Sequence, residues 1–244
     1  AINDFSYRTA AQLLSDDGLN KSYSPLSLYY ALSLAASGAR EDTAAELLDV
    51  LGVKDTETLT QQCGNLYRML YYENEIGKLK IANSIWLDND YLGQPVKFED
   101  DFVKQAANDF YASSHHVDFA QADTGKQMAA WIAKQTQGTI SPDITTDPEQ
   151  ILAIINTIYF YDQWIDKFSK NETAEGIFYL ADGSEVKSDF MNQTFGSAGF
   201  SRGTNFTRAG LALKNSAQMV FVLPDQGVSP YDLLASPELM RQAI

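Results

Sequence analysis

One cysteine, Cys63, in 244 residues leaves no partner for an intrachain disulfide, so packing and hydrogen bonds must hold the fold. A lone cysteine of this kind reads as a small buried hydrophobe rather than a reactive thiol. Basic residues are also scarce. Against 32 Asp and Glu stand 18 Lys and Arg, and the net charge of −14 opposes contact with phosphate backbones and anionic membranes. No basic patch offsets that charge, because the densest pair, Lys78 and Lys80, has Glu73 and Glu75 beside it. Nucleic acid is therefore excluded as an expected partner. No run approaches the roughly 18 apolar residues of a membrane span, so a membrane is not an expected partner either. The opening Ala1-Ile2-Asn3-Asp4 has neither a charged nor an apolar leader region, so either a signal was removed or there was none. No repeat, low-complexity tract or Pro/Gly/Ser linker divides the chain. At this length a single core is possible, burying roughly 70–75% of the unfolded surface.

What is present is a set of legible elements. Ser24-Pro25 reads as a helix N-cap followed by a first-turn proline. The stretch Leu26 to Ser37 after it is apolar nearly all round, which predicts a buried helix rather than a surface one. Thr43-Ala44-Ala45-Glu46 has the form of a capping box, with Ala44, Leu47, Leu48 and Leu51 at helical spacing and Gly52 as the stop. Phe98, Phe102, Ala106 and Phe110 mark a further helix. Another starts near Asp123, carries Met128, Trp131 and Ile132 on one face, and ends at Gly138.

Strands follow a different period. Leu79, Ile81, Ile85 and Leu87 alternate and predict a strand over Leu79 to Leu87. Ile151 to Tyr161 is almost unbroken apolar sequence, the pattern of a strand covered on both faces. Met219 to Leu223 repeats it and ends at the turn signal Pro224-Asp225-Gln226-Gly227. Short strands are expected from Thr173 onward, until a helical end at Glu238–Ile244. Helices early and strands late predict an α+β fold.

One residue interrupts the buried strand. Asn156 must find hydrogen-bond partners, since each unmet buried amide group costs about 1–3 kcal/mol. It serves either as a structural amide satisfied by its neighbours or as a polar latch between two elements.

Catalytic patterns are weak. Gly196-Ser197-Ala198-Gly199 misses the spacing of a nucleophile elbow, and Gly125-Lys126 lacks the upstream glycine and following Ser/Thr of a phosphate-binding loop. His115 and His116 are the only histidines, and adjacency on a strand would send them to opposite faces. A Cys63–His dyad stays open at this point. No metal site and no cofactor are expected, and the chain is not expected to be an enzyme.

The motifs together resemble the serpins, a family of protease inhibitors. The likeness begins with Tyr23-Ser24-Pro25-Leu26-Ser27, Leu34, Gly38-Ala39, Thr43 and Leu51, and continues through Asn83-Ser84-Ile85-Trp86-Leu87. It runs on through Trp131 with Thr136-Gln137-Gly138-Thr139-Ile140, then Asn156-Thr157-Ile158-Tyr159-Phe160 with Trp164, Phe168, Thr173 and Phe178. Phe221-Val222-Leu223-Pro224-Asp225 completes it, in the family's order.

The resemblance implies one incomplete serpin domain over residues 1–244, with helices packed around three β-sheets and the C-terminal third absent from the sequence. It places Ser24, Ser27 and Asn156 in the "shutter" beneath the centre of sheet A, and Trp164 in the "breach" where an inserting loop first enters. Many serpins carry Gly two residues before that Trp. Asp162 stands there instead and should alter how readily the sheet opens, in a direction the sequence leaves undetermined.

The implied activity is suicide-substrate inhibition. A protease, most often of the serine class but also cysteine, is trapped as an acyl-enzyme when the cut loop inserts into sheet A. The loop and its reactive bond lie C-terminal in the family, so the remainder of the same protein is an expected partner, and an open apolar sheet edge is expected without it. The alternative is a non-inhibitory serpin acting as a binding, carrier or chaperone protein. Few basic residues lie between Lys54 and Lys78, so no heparin partner is expected. Sequons at Asn20, Asn171, Asn192 and Asn205 would matter only in a glycosylating pathway. Localisation reads as extracellular or exported, with cytoplasmic as the alternative.

Overall fold

The computed structural model describes residues 2–14, 20–91, 93–180, 182–196 and 199–244. Ala1 of the opening segment and Ser197-Ala198 of the near-elbow lie outside the described residues. Among the described residues up to Leu70 every regular element is a helix: α1 (Ile2–Leu13), α2 (Pro25–Gly38), α3 (Glu41–Leu51) and α4 (Thr56–Leu70). Helix α2 starts as its sequence demands. The Ser24 side chain accepts from the Ser27 N–H, Pro25 fills the first turn, and Tyr30, Leu34 and Ala36 have no exposed surface.

Helix α3 departs from expectation at its start. It begins at Glu41, ahead of the Thr43–Glu46 box, with Arg40 at the N-cap and no side-chain cap. Glu41 and Asp42 in the first turn complement the helix dipole, which the box would have done less directly. Gly52 closes it at φ 70°, in the left-handed region where a Cβ is costly.

Strand β1 (Tyr72–Glu73) turns back into β2 (Lys78–Asp88), followed by the short ribbon β3 (Asp90–Tyr91) and β4 (Gln94–Pro95). Next come α5 (Asp100–Phe110), β5 (Ala112–Val117), α6 (Ala122–Gln135) and β6 (Leu152–Tyr161). β2 is the axis of the largest sheet. β1 and β5 share one of its edges, antiparallel and parallel respectively, and β6 runs antiparallel along the other.

The period of two sorts the side chains of β2 onto two faces. Leu79, Ile81, Ile85 and Leu87 join the main core with Tyr30, Leu34, Leu51, Leu59 and Phe110, below α2, α4 and α5. Ser84 and Trp86 point the other way, and Trp86 packs with Val117, Phe119 and Met128 under α6. The alternation expected over Leu79–Leu87 therefore understates β2, which is covered on both faces.

β6 differs from its sequence reading in the opposite sense. Its apolar run predicts cover on both faces, yet only Thr157 is fully buried and Phe160 and Tyr161 are about half exposed. The reason is pairing. Among the described residues β6 bonds to β2 alone, and its other edge carries no strand. This is the open apolar edge the sequence predicts.

The second half of the chain forms two further sheets, β7 (Ala174–Tyr179) with β8 (Glu185–Phe190), and β9 (Gly199–Gly203) with β10 (Phe206–Ala212) and β11 (Gln218–Pro224). Two short capped helices, α7 (Pro230–Leu234) and α8 (Pro237–Ala243), close the order. The helical end starts sooner than expected, because Ser229-Pro230 and Ser236-Pro237 each repeat the cap-then-proline start of α2. Among the described residues, no helix is long and apolar enough to cross a membrane.

Gly125 has a packing reason to be glycine. A Cβ there would overlap the carbonyl oxygen of Ile144, where the segment after α6 crosses the helix. Gly125→Ala is expected to destabilise the fold by about 1–3 kcal/mol, measured as a lower urea midpoint at unchanged m-value.

Candidate functional site

The antiparallel register of β2 and β6 sets Asn83 directly opposite Asn156, in rows otherwise made of Ile81–Ile158 and Ile85–Ile154 pairs. Both amides lie on the face below α2. The Asn156 Nδ2 donates to Asn83 Oδ1 at 2.7 Å, and the Asn83 Nδ2 donates to the carbonyl of Phe110, the last residue of α5, at 2.7 Å. From the helix side, the Ser27 hydroxyl donates to Asn156 Oδ1 at 2.5 Å. The result is an ordered relay, α2 to β6 to β2 to α5, in which each amide spends its donor on the next member. Asn83 is 2% exposed, so its bonds are made away from water.

Ser24 has a separate task. It is exposed, its Oγ accepts from the Ser27 N–H at 3.2 Å, and among the described residues no hydrogen bond joins it to Asn156. It fixes where α2 begins, and thereby where Ser27 sits.

The second cluster lies six residues further along β6, roughly 20 Å away by strand rise. Asp162 is tied from several sides. Its Oδ1 accepts from the Gln163 N–H at 2.7 Å and the Asn215 Nδ2 at 3.1 Å. Its Oδ2 accepts from the Asn215 N–H at 3.1 Å and the Tyr72 hydroxyl at 3.3 Å. The Asn215 side chain in turn accepts from Asn74, whose own Oδ1 takes the N–H groups of Ile76 and Gly77.

Gly77 passes close beneath this cluster. A Cβ there would stand 2.6 Å from both Asn215 Nδ2 and the Tyr161 carbonyl. One carboxylate thus joins the β1–β2 turn, the end of β6 and the β10–β11 turn. Burial pushes its pKa up, but the donors from Gln163, Asn215 and Tyr72 outweigh this and hold it below the ordinary carboxylate value.

Trp164 follows at once. It makes a lone antiparallel bridge to Leu213, and its ring meets Phe168 edge-on at 6.2 Å, which meets Phe195 in the same way at 5.9 Å. The two clusters sit at the middle and the end of one strand.

The catalytic readings find no support in this geometry. Cys63 is fully buried, and burial pushes its thiol to about 11, so it is protonated at neutral pH. His115 stacks on Trp86 at 4.1 Å while its neighbour His116 lies exposed. No group of three or more His, Cys, Asp or Glu is placed to hold a metal ion among the described residues.

Comparison with known proteins decides the family. The profile of Serpin (serine protease inhibitor) matches residues 1–241. The chain belongs to the serpin family. A serine protease inhibitor of Mus musculus is 27% identical, over 98% of this chain and 58% of its own length. Serpin-ZXA of Oryza sativa is 31% identical, over 77% of this chain and 50% of its own. The thermophilic serpin tengpin in its native state superposes with a TM-score of 0.88 at 26% identity, covering all of this chain and 63% of that one. The architecture is the serpin α+β fold, and the chain spans about half to two thirds of the relatives it matches.

Sequence reasoning picks out Ser27, Asn156, Asp162 and Trp164 but misses Asn83, Asn215 and Tyr72. Asn83 is likewise an amide inside an apolar strand, the feature that singles out Asn156. Asn215 and Tyr72 carry no such signal, since each lies in or beside a turn.

Two tests follow from the geometry. In a double-mutant cycle, Asn83→Ala and Asn156→Ala are each expected to cost about 1–3 kcal/mol, with at least ~0.5 kcal/mol of coupling between them in urea unfolding. Strict additivity would break the relay. Asp162 has a folded pKa below its unfolded one, so its contribution is present above the ordinary carboxyl range and is lost as pH falls through the depressed value. The urea midpoints of the parent and Asp162→Ala should therefore differ at pH 7 and draw together as pH falls below about 4. A constant gap would assign the effect to shape.

Proposed function

We propose that the protein containing this chain is a suicide-substrate protease inhibitor acting mainly on serine proteases. The observation that carries the reading is β6: a long apolar strand moored on one edge to β2 and, among the described residues, unpaired on the other. An edge of this kind is where a further strand adds by main-chain hydrogen bonding.

In this reading a strand from the C-terminal remainder of the same protein covers the β6 edge in the native state. The protease hydroxyl attacks the scissile carbonyl of the reactive loop, an ester forms, and the amide C–N bond breaks with release of the new amine. The freed strand then enters beside β6 before water can cleave the ester.

The two clusters take complementary parts. Ser27, Asn156 and Asn83 keep β6 attached to α2 and β2, so that parting occurs at the far edge of β6. Asp162 and Trp164 close the end of the sheet where entry begins. Because four hydrogen bonds converge on Asp162, it opposes parting, and Asp162→Gly should ease it.

The test is a denaturing gel of the full gene product incubated with a panel of serine and papain-like cysteine proteases. A boiling-resistant band of summed mass is expected with a serine protease. Cleavage without such a band would overturn inhibition in favour of a non-inhibitory binding or carrier serpin.

A further inference from the structure

A cleft of about 400 Å³ opens on the α6 side of the main sheet, bordered at one point by Asn83 of the relay and remote from Asp162 and Trp164. Its walls come from the end of α4, the α5–β5 turn, strands β2 and β5, and α6. The volume falls in the range of small-molecule sites.

Aromatic rings make up much of the wall. Tyr71, Tyr67 and Tyr111 form one continuous stack, with centroids 5.4 Å and 4.2 Å apart. His115 and Trp131 also line the cleft, the former held flat against Trp86. Tyr111 is kept in place at a cost. Its φ of 53° is left-handed, an outlier for a bulky aromatic, and the Arg68 guanidinium donates to its hydroxyl at 2.9 Å. The Tyr67 stack and the Arg68 hydrogen bond hold the ring from two sides.

The charge of the lining is one-sided. Lys80 and Lys134 contribute ammonium groups, and no Asp or Glu lines the cleft in a chain of net charge −14. Lys80 shares Glu73 with Lys78, at 3.3 Å and 2.7 Å, so that trio stays net positive. Lys134, on the rim of α6, forms no ion pair among the described residues. Burial lowers the pKa of His115, leaving it a neutral stacking surface at pH 7.

We propose that this cleft binds a planar aromatic carboxylate, its ring against the tyrosine stack and the His115–Trp131 wall, its charge on Lys134 and Lys80. Flat walls select the ring by stacking, and the two ammonium groups select the anion by charge-assisted hydrogen bonds.

The test titrates the full chain at pH 7 with 2-naphthoate and with its neutral amide by calorimetry. Saturable one-to-one binding is expected, with the carboxylate about three- to fivefold tighter than the amide. Lys134→Gln, a change at an exposed position on α6, should reduce that preference. In ¹⁵N-labelled protein, shift changes should concentrate at residues 67–71, 111–115 and 131–135. No saturable binding, equal affinity for acid and amide, or an affinity indifferent to Lys134→Gln would each overturn the proposal.

Discussion

The side-chain bond between Asn83 and Asn156 is the constraint on which the rest of the largest sheet depends. It lies across a pair of strands whose other facing residues on that side are apolar, Leu79–Phe160, Ile81–Ile158, Ile85–Ile154 and Leu87–Leu152, where another register satisfying the apolar pattern would pack nearly as well. A slip of two residues keeps every side chain on its face but sets each amide against an isoleucine. The cost of leaving buried Asn83 and part-buried Asn156 unpaired disfavours that alternative. Apolar residues thus supply the driving force, and two amides supply the register.

The polar relay reaches outward from that pair in both directions. Ser27 brings α2 to it, and the carbonyl of Phe110 brings the end of α5. Tyr111 then turns left-handed, and β5 departs parallel to β2 from the point where Asn83 faces Ala112. Helix packing, strand register and chain reversal are settled around one small set of side chains, which is why sparse polar residues in an apolar interior carry so much information.

Much of this is legible in the sequence, and the limits have physical causes. The start of α2, the stop at Gly52 and the extent of β2 and β6 follow from caps and periods that act over a few residues. Asn156 declares itself because a lone amide in an apolar strand must be satisfied. What the sequence conceals is who satisfies it, since the partners come from positions 27 and 83, far away along the chain. The same holds for Asp162. Its identity is plain, but the convergence of Tyr72 and Asn215 on it, with Asn74 behind Asn215, depends on the packing of distant turns that have no mutual signal. For β6 the open edge is foreseen, but its apolar run alone reads as cover on both faces: composition reports what a strand can cover, not whether its neighbour is there.

The relay also sets a clock. Ser27 and Asn156 are separated by 129 positions. At synthesis rates of roughly 5–20 residues per second, about 6–26 s pass between the emergence of α2 and the arrival of its acceptor. During that interval a helix that is apolar nearly all round has left the ribosome before the strand it covers exists. It must find temporary shelter against α1, α3 and α4 or in a chaperone, and the N-terminal helices therefore have to hold together as a nascent unit until the sheet is delivered to them.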